Sequence, residues 1–224
     1  YQTMRALRRD LQQGGEDFPA LLQELQTYLG PERPGQAVKA IPGQGSNVPI
    51  TLLGSSGFSA QLAGMRGLPF AFAAHFAPDY LYAAAELYRS HFRPSAVLEQ
   101  PYFMVAVQVI AAEADAEARR LFTTPQQRFL RLIRNEPVEL LPPVDSMDAI
   151  WSERERAAVE SKLYAAIVGS ESTVKAGVQK LVEATGADEL IVVTDTYDHA
   201  DRLQSYQRLA ELAPAIELRP TVAV

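Results

Sequence analysis

Four short apolar runs, each preceded or followed by a stretch of helical period, constrain what this chain can fold into more than any other feature of its sequence. They are residues 48–54 (VPITLLG), 70–76 (FAFAAHF), 102–112 (YFMVAVQVIAA) and 190–194 (LIVVT). Each is apolar at successive positions rather than at alternate ones, the pattern of a strand covered on both faces. Helical period is read over residues 2–12, 16–29, 58–66, 79–92, 114–134, 152–167, 171–185 and 199–213, with Pro125 expected to interrupt the 114–134 stretch. Residues 30–47 and 135–150 are proline-rich, without period, and read as a surface connection and a long loop or insertion; a short extended piece is expected within 38–41. Short buried strands alternating with helices predict an α/β fold built on a parallel sheet.

Two architectures fit that alternation: an open doubly wound sheet and part of a (β/α)₈ barrel. Neither the G-x-G-x-x-G nor the G-x-x-x-x-G-K-[ST] pattern occurs, so no nucleotide-binding fingerprint supports the open sheet. Four strands in 224 residues amount to half of a barrel with generous insertions. Composition narrows the function classes. A formal net charge of −6 gives no field that draws the chain to nucleic acid. With no cysteine, disulfides, thiolate metal sites and Cys nucleophiles are excluded. The most apolar stretch, 68–87, contains Pro69, His75, Pro78, Asp79 and Glu86, which a membrane span would not.

Ligands of α/β folds lie at the C-terminal ends of the parallel strands, so those ends are where chemistry is sought. The first runs from Leu53 through Gly54-Ser55-Ser56-Gly57 to Phe58-Ser59. Two glycines, serine hydroxyls and the N–H groups of a starting helix suit a phosphate, although Ser56 as an ordinary N-cap accounts for the turn more economically. At the second end, Ala74-His75-Phe76 suits the rim of a flat heterocycle, or else Phe76 is core and His75 bonds to a loop. Asp79 reads as a cap or first-turn acid of the next helix. The third end offers only Gln108 and Glu113, the latter expected in solvent. At the fourth, Asp195, Asp198 and His199 have the residue types of a metal site, but Asp198 as an N-cap explains them better, and no metal is expected. Met147 and Trp151 are expected to anchor the long loop, and Arg5, Arg8 and Arg9 to lie on a solvated helix face.

The run from Leu52-Leu53-Gly54-Ser55-Ser56 through Ser59-Ala60-Gln61-Leu62-Ala63, followed by Gly67-Leu68-Pro69-Phe70-Ala71-Phe72-Ala73-Ala74-His75-Phe76, resembles a signature of the bacterial luciferase-like flavin-dependent monooxygenases. Ile167-Val168-Gly169-Ser170, Gly186-Ala187-Asp188-Glu189-Leu190 and the segment from Tyr197 to Tyr206 resemble the closing elements of the same family, in the same order. The resemblance implies the C-terminal portion of a single (β/α)₈ TIM-barrel domain spanning 1–224, carrying roughly strands 5 to 8 with their helices and a long insertion. It further implies a cytoplasmic oxidoreductase that uses reduced FMN, supplied by a separate flavin reductase, and O₂ to oxidise a small organic substrate such as an aldehyde, and that works as a homodimer. Gly54, Ser55, Ser56 and Ser59 would hold the FMN phosphate, and Ala74 and His75 would lie near the flavin pocket. A deazaflavin-dependent oxidoreductase on the same barrel and a non-catalytic flavin-binding or interaction relative are the alternatives. The chain begins in what resembles the helix after the family's fourth strand, so the family's catalytic imidazole has no counterpart here and a longer natural protein is expected.

Overall fold

A computed structural model of the chain describes residues 17–216. The helix expected over residues 2–12, with Arg5, Arg8 and Arg9, lies outside the described residues. The chain divides into two compact units, Tyr1–Ile50 and Thr51–Val224. In the first, α1 (Phe18–Leu29) carries a proline in its opening turn and ends at Gly30. The connection after it folds back on the helix end, with the Gly45 and Asn47 N–H groups donating to the Gly30 and Leu29 carbonyls. No strand forms over residues 38–41. Chain that must turn twice to satisfy the exposed carbonyls of a helix end has no partner left for a ladder.

Among its described residues the second unit holds a parallel sheet and six α-helices. Its elements are β1 (Leu52–Gly54), α2 (Gly57–Arg66), β2 (Phe70–Ala73), α3 (Leu81–His91), β3 (Phe103–Ala111), α4 (Asp115–Ile133), α5 (Glu153–Leu163), β4 (Ile167–Gly169), α6 (Glu171–Thr185), β5 (Glu189–Val193) and α7 (His199–Leu212). Strand β1 pairs with β2, β2 with the first half of β3, and β5 with the middle of β3, all parallel. Each helical crossover therefore returns the chain to the next strand along the sheet. Strand β4 is an addition. It pairs only with Val109–Ala111, on the same edge as β2 but beyond its end, and the Ala112 N–H continues that ladder to the Gly169 carbonyl.

Sequence expectations are met at most strand and helix positions and corrected at a few. Ile167–Gly169 forms a strand where helix was expected to run on to 167. The first run contracts to its last three residues, and the second gives way to a turn after Ala73. Helix α4 is continuous through Pro125. Its buried face overrides the local cost, because Thr124 and Gln127 on either side of the proline donate to the Leu141 and Pro142 carbonyls of the long loop at 2.9 Å each. The loop is further fixed by Met147, buried with Phe129, Leu130, Val159 and Leu163, and by Trp151 packed against that cluster. Anchoring is thus the role the structure gives both residues.

Phe103 and Phe70, on adjacent strands, stack at 5.8 Å between ring centroids, and the Tyr88 ring from α3 lies 5.5 Å from Phe70. This fixes which face of the sheet meets the helices. Odd-numbered residues of β3 point toward them, and Met104, Ala106 and Gln108 point to the opposite face. The Tyr88 hydroxyl donates to the Leu68 carbonyl (2.9 Å) and accepts from the Tyr102 N–H (3.0 Å), tying the entrances of β2 and β3 together. Burial pushes its phenol up to about 12. At the other end, β3 outruns β5, and side chains complete its edge. Thr194 Oγ1 donates to the Val109 carbonyl (2.8 Å), and Ser205 Oγ on α7 accepts from the Ala111 N–H (2.9 Å). The unit thus has a tied lower end and an upper end rich in polar side chains.

Candidate active site

The turn after β1 has the geometry of an anion cradle. Gly54 ends the strand, Ser55 lies in the bend after it, and Ser56 is the N-cap of α2 in extended backbone. Ser56 Oγ accepts from the Ser59 N–H and lies 3.5 Å from Ser59 Oγ. A Cβ on Gly54 would stand 2.6 Å from Ser59 Cβ and collide with its hydroxyl, so the close approach of turn and helix requires glycine. The first turn of α2 contains no acidic residue. Two hydroxyls and the free N–H groups of the helix start therefore face outward without an internal carboxylate to neutralise them. Capping and anion binding are compatible in this arrangement.

The second candidate segment lies at the head of β2. The His75 N–H donates to the Ala106 carbonyl at 2.8 Å, which carries the segment along β3 past the last paired residues, Ala73 and Ala106. Phe76 is 56% exposed. It belongs to a rim and not to the core. His75 and Phe76 line a cavity of about 200 Å³ together with Phe129, Leu132, Val138 and the Arg128–Asp195 pair. Arg128 Nη1 meets Asp195 Oδ2 at 2.6 Å. The pair is partly exposed and carries little stability by itself, but it closes one wall between α4 and the head of β5.

Two polar atoms here break the rule that buried donors are satisfied. His75 Nδ1 and Gln108 Nε2 are both buried and without a hydrogen-bond partner. Gln108, 1% exposed, pairs across the sheet with Val193 of β5. Sequence reading singled out Gln108 only as a polar residue near a strand end. Its position opposite the Phe103 face, three residues before the strand's end, was the available signal.

The remaining sequence candidates find structural roles. Asp198 is the N-cap of α7 and accepts from the Ala200 N–H at 2.7 Å, which leaves Asp195 to Arg128. Asp79 sits in a short 3₁₀ turn, Pro78–Tyr80, and meets Lys162 of α5 at 3.1 Å. Glu113 is exposed. Among the described residues no group of three or more His, Cys, Asp or Glu converges as a metal site would require, and no helix is long and apolar enough to cross a membrane. Asp115, which sequence reading passed over, proves important. Its carboxylate accepts from the Ser170 N–H at 2.6 Å, at the start of α6. That bond, with those from the Ser170 and Thr173 hydroxyls, holds the carboxyl below the usual carboxylate range.

A turn shaped for an anion at the head of one strand and a lined cavity at the head of the next are what comparison with known proteins must explain. The family model for luciferase-like monooxygenases matches residues 4–210. The chain belongs to the luciferase-like monooxygenase family. Among members of that family, it is 45% identical over 205 residues to a luciferase-like monooxygenase of Escherichia coli K12, covering 92% of this chain and 61% of that protein. It is also 51% identical over 211 residues to the protein YvbT of Bacillus subtilis, covering 94% of this chain and 62% of that one. The crystal structure of apo-MsnO8 superposes with a TM-score of 0.75 at 31% identity, over 98% of this chain and 66% of that one. This luciferase-like chain thus spans about three fifths of the length of the curated relatives it matches.

Proposed function

We propose that this chain is the closing part of a (β/α)₈ barrel, roughly strands 5 to 8, belonging to an FMN-dependent monooxygenase that uses O₂ on a small organic substrate. The barrel reading is supported by strand order. β1, β2, β3 and β5 lie side by side in chain order, whereas a doubly wound sheet reverses direction at a switch point. It is supported also by Leu53, which is 62% exposed on the face turned away from the helices, as a residue awaiting further barrel strands would be. A barrel of this kind presents one mouth, at the C-terminal strand ends, where the turn and the cavity both lie.

The observation that carries the functional reading is the turn at Gly54. What supports a flavin phosphate there is the pair of Ser56 and Ser59 hydroxyls at a helix start with no acid in its first turn, and Ser55 would add a third hydroxyl. Ser56 and Ser59 would donate to phosphate oxygens, Gly54 would let the backbone approach, and Ala74 with His75 would border the ring. When bound, the reduced flavin would supply the electrons that activate dioxygen toward the substrate. The chain's own residues bind the phosphate, orient the ring and wall off water on the α4 side. The proposal includes a separate reductase as the source of reduced flavin and a homodimer as the working form.

Titration of the full-length protein with FMN, followed by flavin fluorescence, tests the reading. Tight binding that inorganic phosphate competes away, together with oxygen uptake dependent on reduced FMN and substrate, is the expected result. Absence of FMN binding in both redox states would sink it, and preferential binding of a deazaflavin would replace the cofactor while keeping the site.

A further inference from the structure

The first turn of α2 has an aromatic neighbour that no strand end supplies. Gly57 opens the helix, and a Cβ built on it would stand 3.0 Å from Tyr80 Cε1, 3.1 Å from Leu87 Cδ1 and 3.4 Å from the Tyr80 hydroxyl oxygen. Glycine is a poor helix former, and its presence here leaves room for that ring to lie against the helix start. Tyr80 is the N-cap of α3, and its backbone is held from α5. It closes the 3₁₀ turn Pro78–Tyr80, where the Pro78 carbonyl accepts from the Tyr164 hydroxyl at 2.8 Å and Asp79 meets Lys162 at 3.1 Å. The phenol is thus fixed beside the α2 N-terminus by its ring and by its main chain. Tyr88, Tyr102 and Tyr164 commit their hydroxyls to the Leu68 carbonyl, Glu189 and the Pro78 carbonyl. Tyr80 is 43% exposed, and its hydroxyl bonds to no group among the described residues.

We propose that the Tyr80 hydroxyl is a further ligand of the phosphate at this turn, donating to one of its oxygens from the α3 side while Ser56 and Ser59 donate from α2. The inference rests on the reading of the turn as a phosphate site and adds to it a residue from a different strand–helix unit. The chemistry of the surroundings favours an anion as the acceptor. A phenol donates in a direction set by a ring with only two rotatable bonds, and a charged phosphate oxygen makes a stronger acceptor than a neutral one. The carboxylate next to it in the chain, Asp79, is matched by Lys162, and the first turn of α2 brings no acid of its own. A flavin without a phosphate offers the Tyr80 hydroxyl nothing at this position. Tyr80 therefore separates phosphorylated from unphosphorylated flavin instead of strengthening all flavins alike.

Calorimetric titration of the full-length protein and its Tyr80→Phe variant with FMN, riboflavin and inorganic phosphate provides the test. Phenylalanine keeps the ring against Gly57, so the variant removes the hydroxyl alone. The expected result is FMN binding weakened roughly tenfold, the value of one hydrogen bond to a charged group, with phosphate binding weakened in parallel and riboflavin binding unchanged. Equal weakening of FMN and riboflavin would show that the residue only shapes the helix start, and would overturn the proposal. Unchanged FMN affinity in the variant would overturn it as well. The phosphate titration separates this inference from the flavin reading. Should wild type bind inorganic phosphate but neither flavin, the flavin reading falls alone: loss of phosphate affinity in Tyr80→Phe then upholds the ligand, and unchanged affinity overturns it. Wild-type protein that binds none of the three overturns both.

Discussion

Gly54 and Gly169 occupy equivalent places in two strand–helix units. Each is the last residue of a parallel strand, each is followed by serine, and each precedes a helix N-terminus. Each is also a position where a Cβ would collide with the hydroxyl residue of the helix's first turns, Ser59 in one case and Thr173 in the other. The two turns differ in what meets the helix end. At α6 the fold delivers the Asp115 carboxylate from the start of α4, and Glu171 adds a second acid in the first turn. At α2 there is neither. One turn is thereby a staple between α4 and α6, closed by its own anion, whereas the first turn of α2 brings no acid to its helix end. Local sequence shows only the Glu171 part of this difference; the larger part is a carboxylate contributed from 55 residues away.

Substitutions can break this contrast from either side. The largest effect is expected from combining Ser56→Ala with Ser59→Ala. Two hydrogen bonds to a charged phosphate are lost, so FMN affinity measured by calorimetry should fall roughly a hundredfold or more. The matching pair at the other turn, Ser170→Ala with Thr173→Ala, should leave FMN affinity unchanged. Next comes Gly169→Ala. Its methyl group would stand 2.8 Å from Asp115 Oδ1 and closer still to Thr173, and about 1–3 kcal/mol should be lost in urea unfolding, with FMN binding retained.

Smaller still is Ser56→Ala alone, read as stability in the absence of flavin. Loss of a cap costs about 1 kcal/mol, and the long 3.5 Å bond to the Ser59 N–H places this one toward the lower part of the range. The smallest effect belongs to Asp115→Asn, and its signature is a pH dependence. The carboxyl titrates lower in the folded than in the unfolded chain, so its stabilising contribution is complete above the ordinary carboxylate pKa and fades as pH falls through the folded value. Melting temperatures of wild type and Asp115→Asn should therefore differ at neutral pH and converge in acid.

The pair of turns also shows where sequence reading succeeds and where it stops. The α/β alternation, the strand cores and most helix ends were legible, because glycine, proline and period mark them locally. Strand β4 was not. Three residues, Ile167–Gly169, carry no period of their own, and only the unpaired end of β3 makes them a strand. Pro125 misled for a similar reason, since the hydrogen bonds that hold α4 together around it come from a loop 15 to 17 residues away. In the site, the Gly54 turn and His75 could be named because their residue types stand out among apolar neighbours. Gln108 stayed one candidate among others until the stacking of Phe70 on Phe103 fixed which face of β3 it occupies. The Arg128–Asp195 wall joins residues 67 apart and left no trace in either local pattern.

The extra length of β3 has a consequence for how such a protein can change. The stretch from α4 through the long loop and α5 to β4 joins the sheet's ladder only at the last three residues of that strand, where pairing with β2 and β5 is already complete, and otherwise meets the rest of the unit through side chains such as Arg128 on Asp195 and Lys162 on Asp79. The stretch behaves as a cassette plugged into a finished frame. Phe129, Leu132, Val138 and Arg128, which shape the cavity, all belong to it, whereas His75, Gln108 and the Gly54 turn belong to the frame. Exchange of the cassette would therefore reshape the wall that meets a ligand's body and leave its anchoring points where they are.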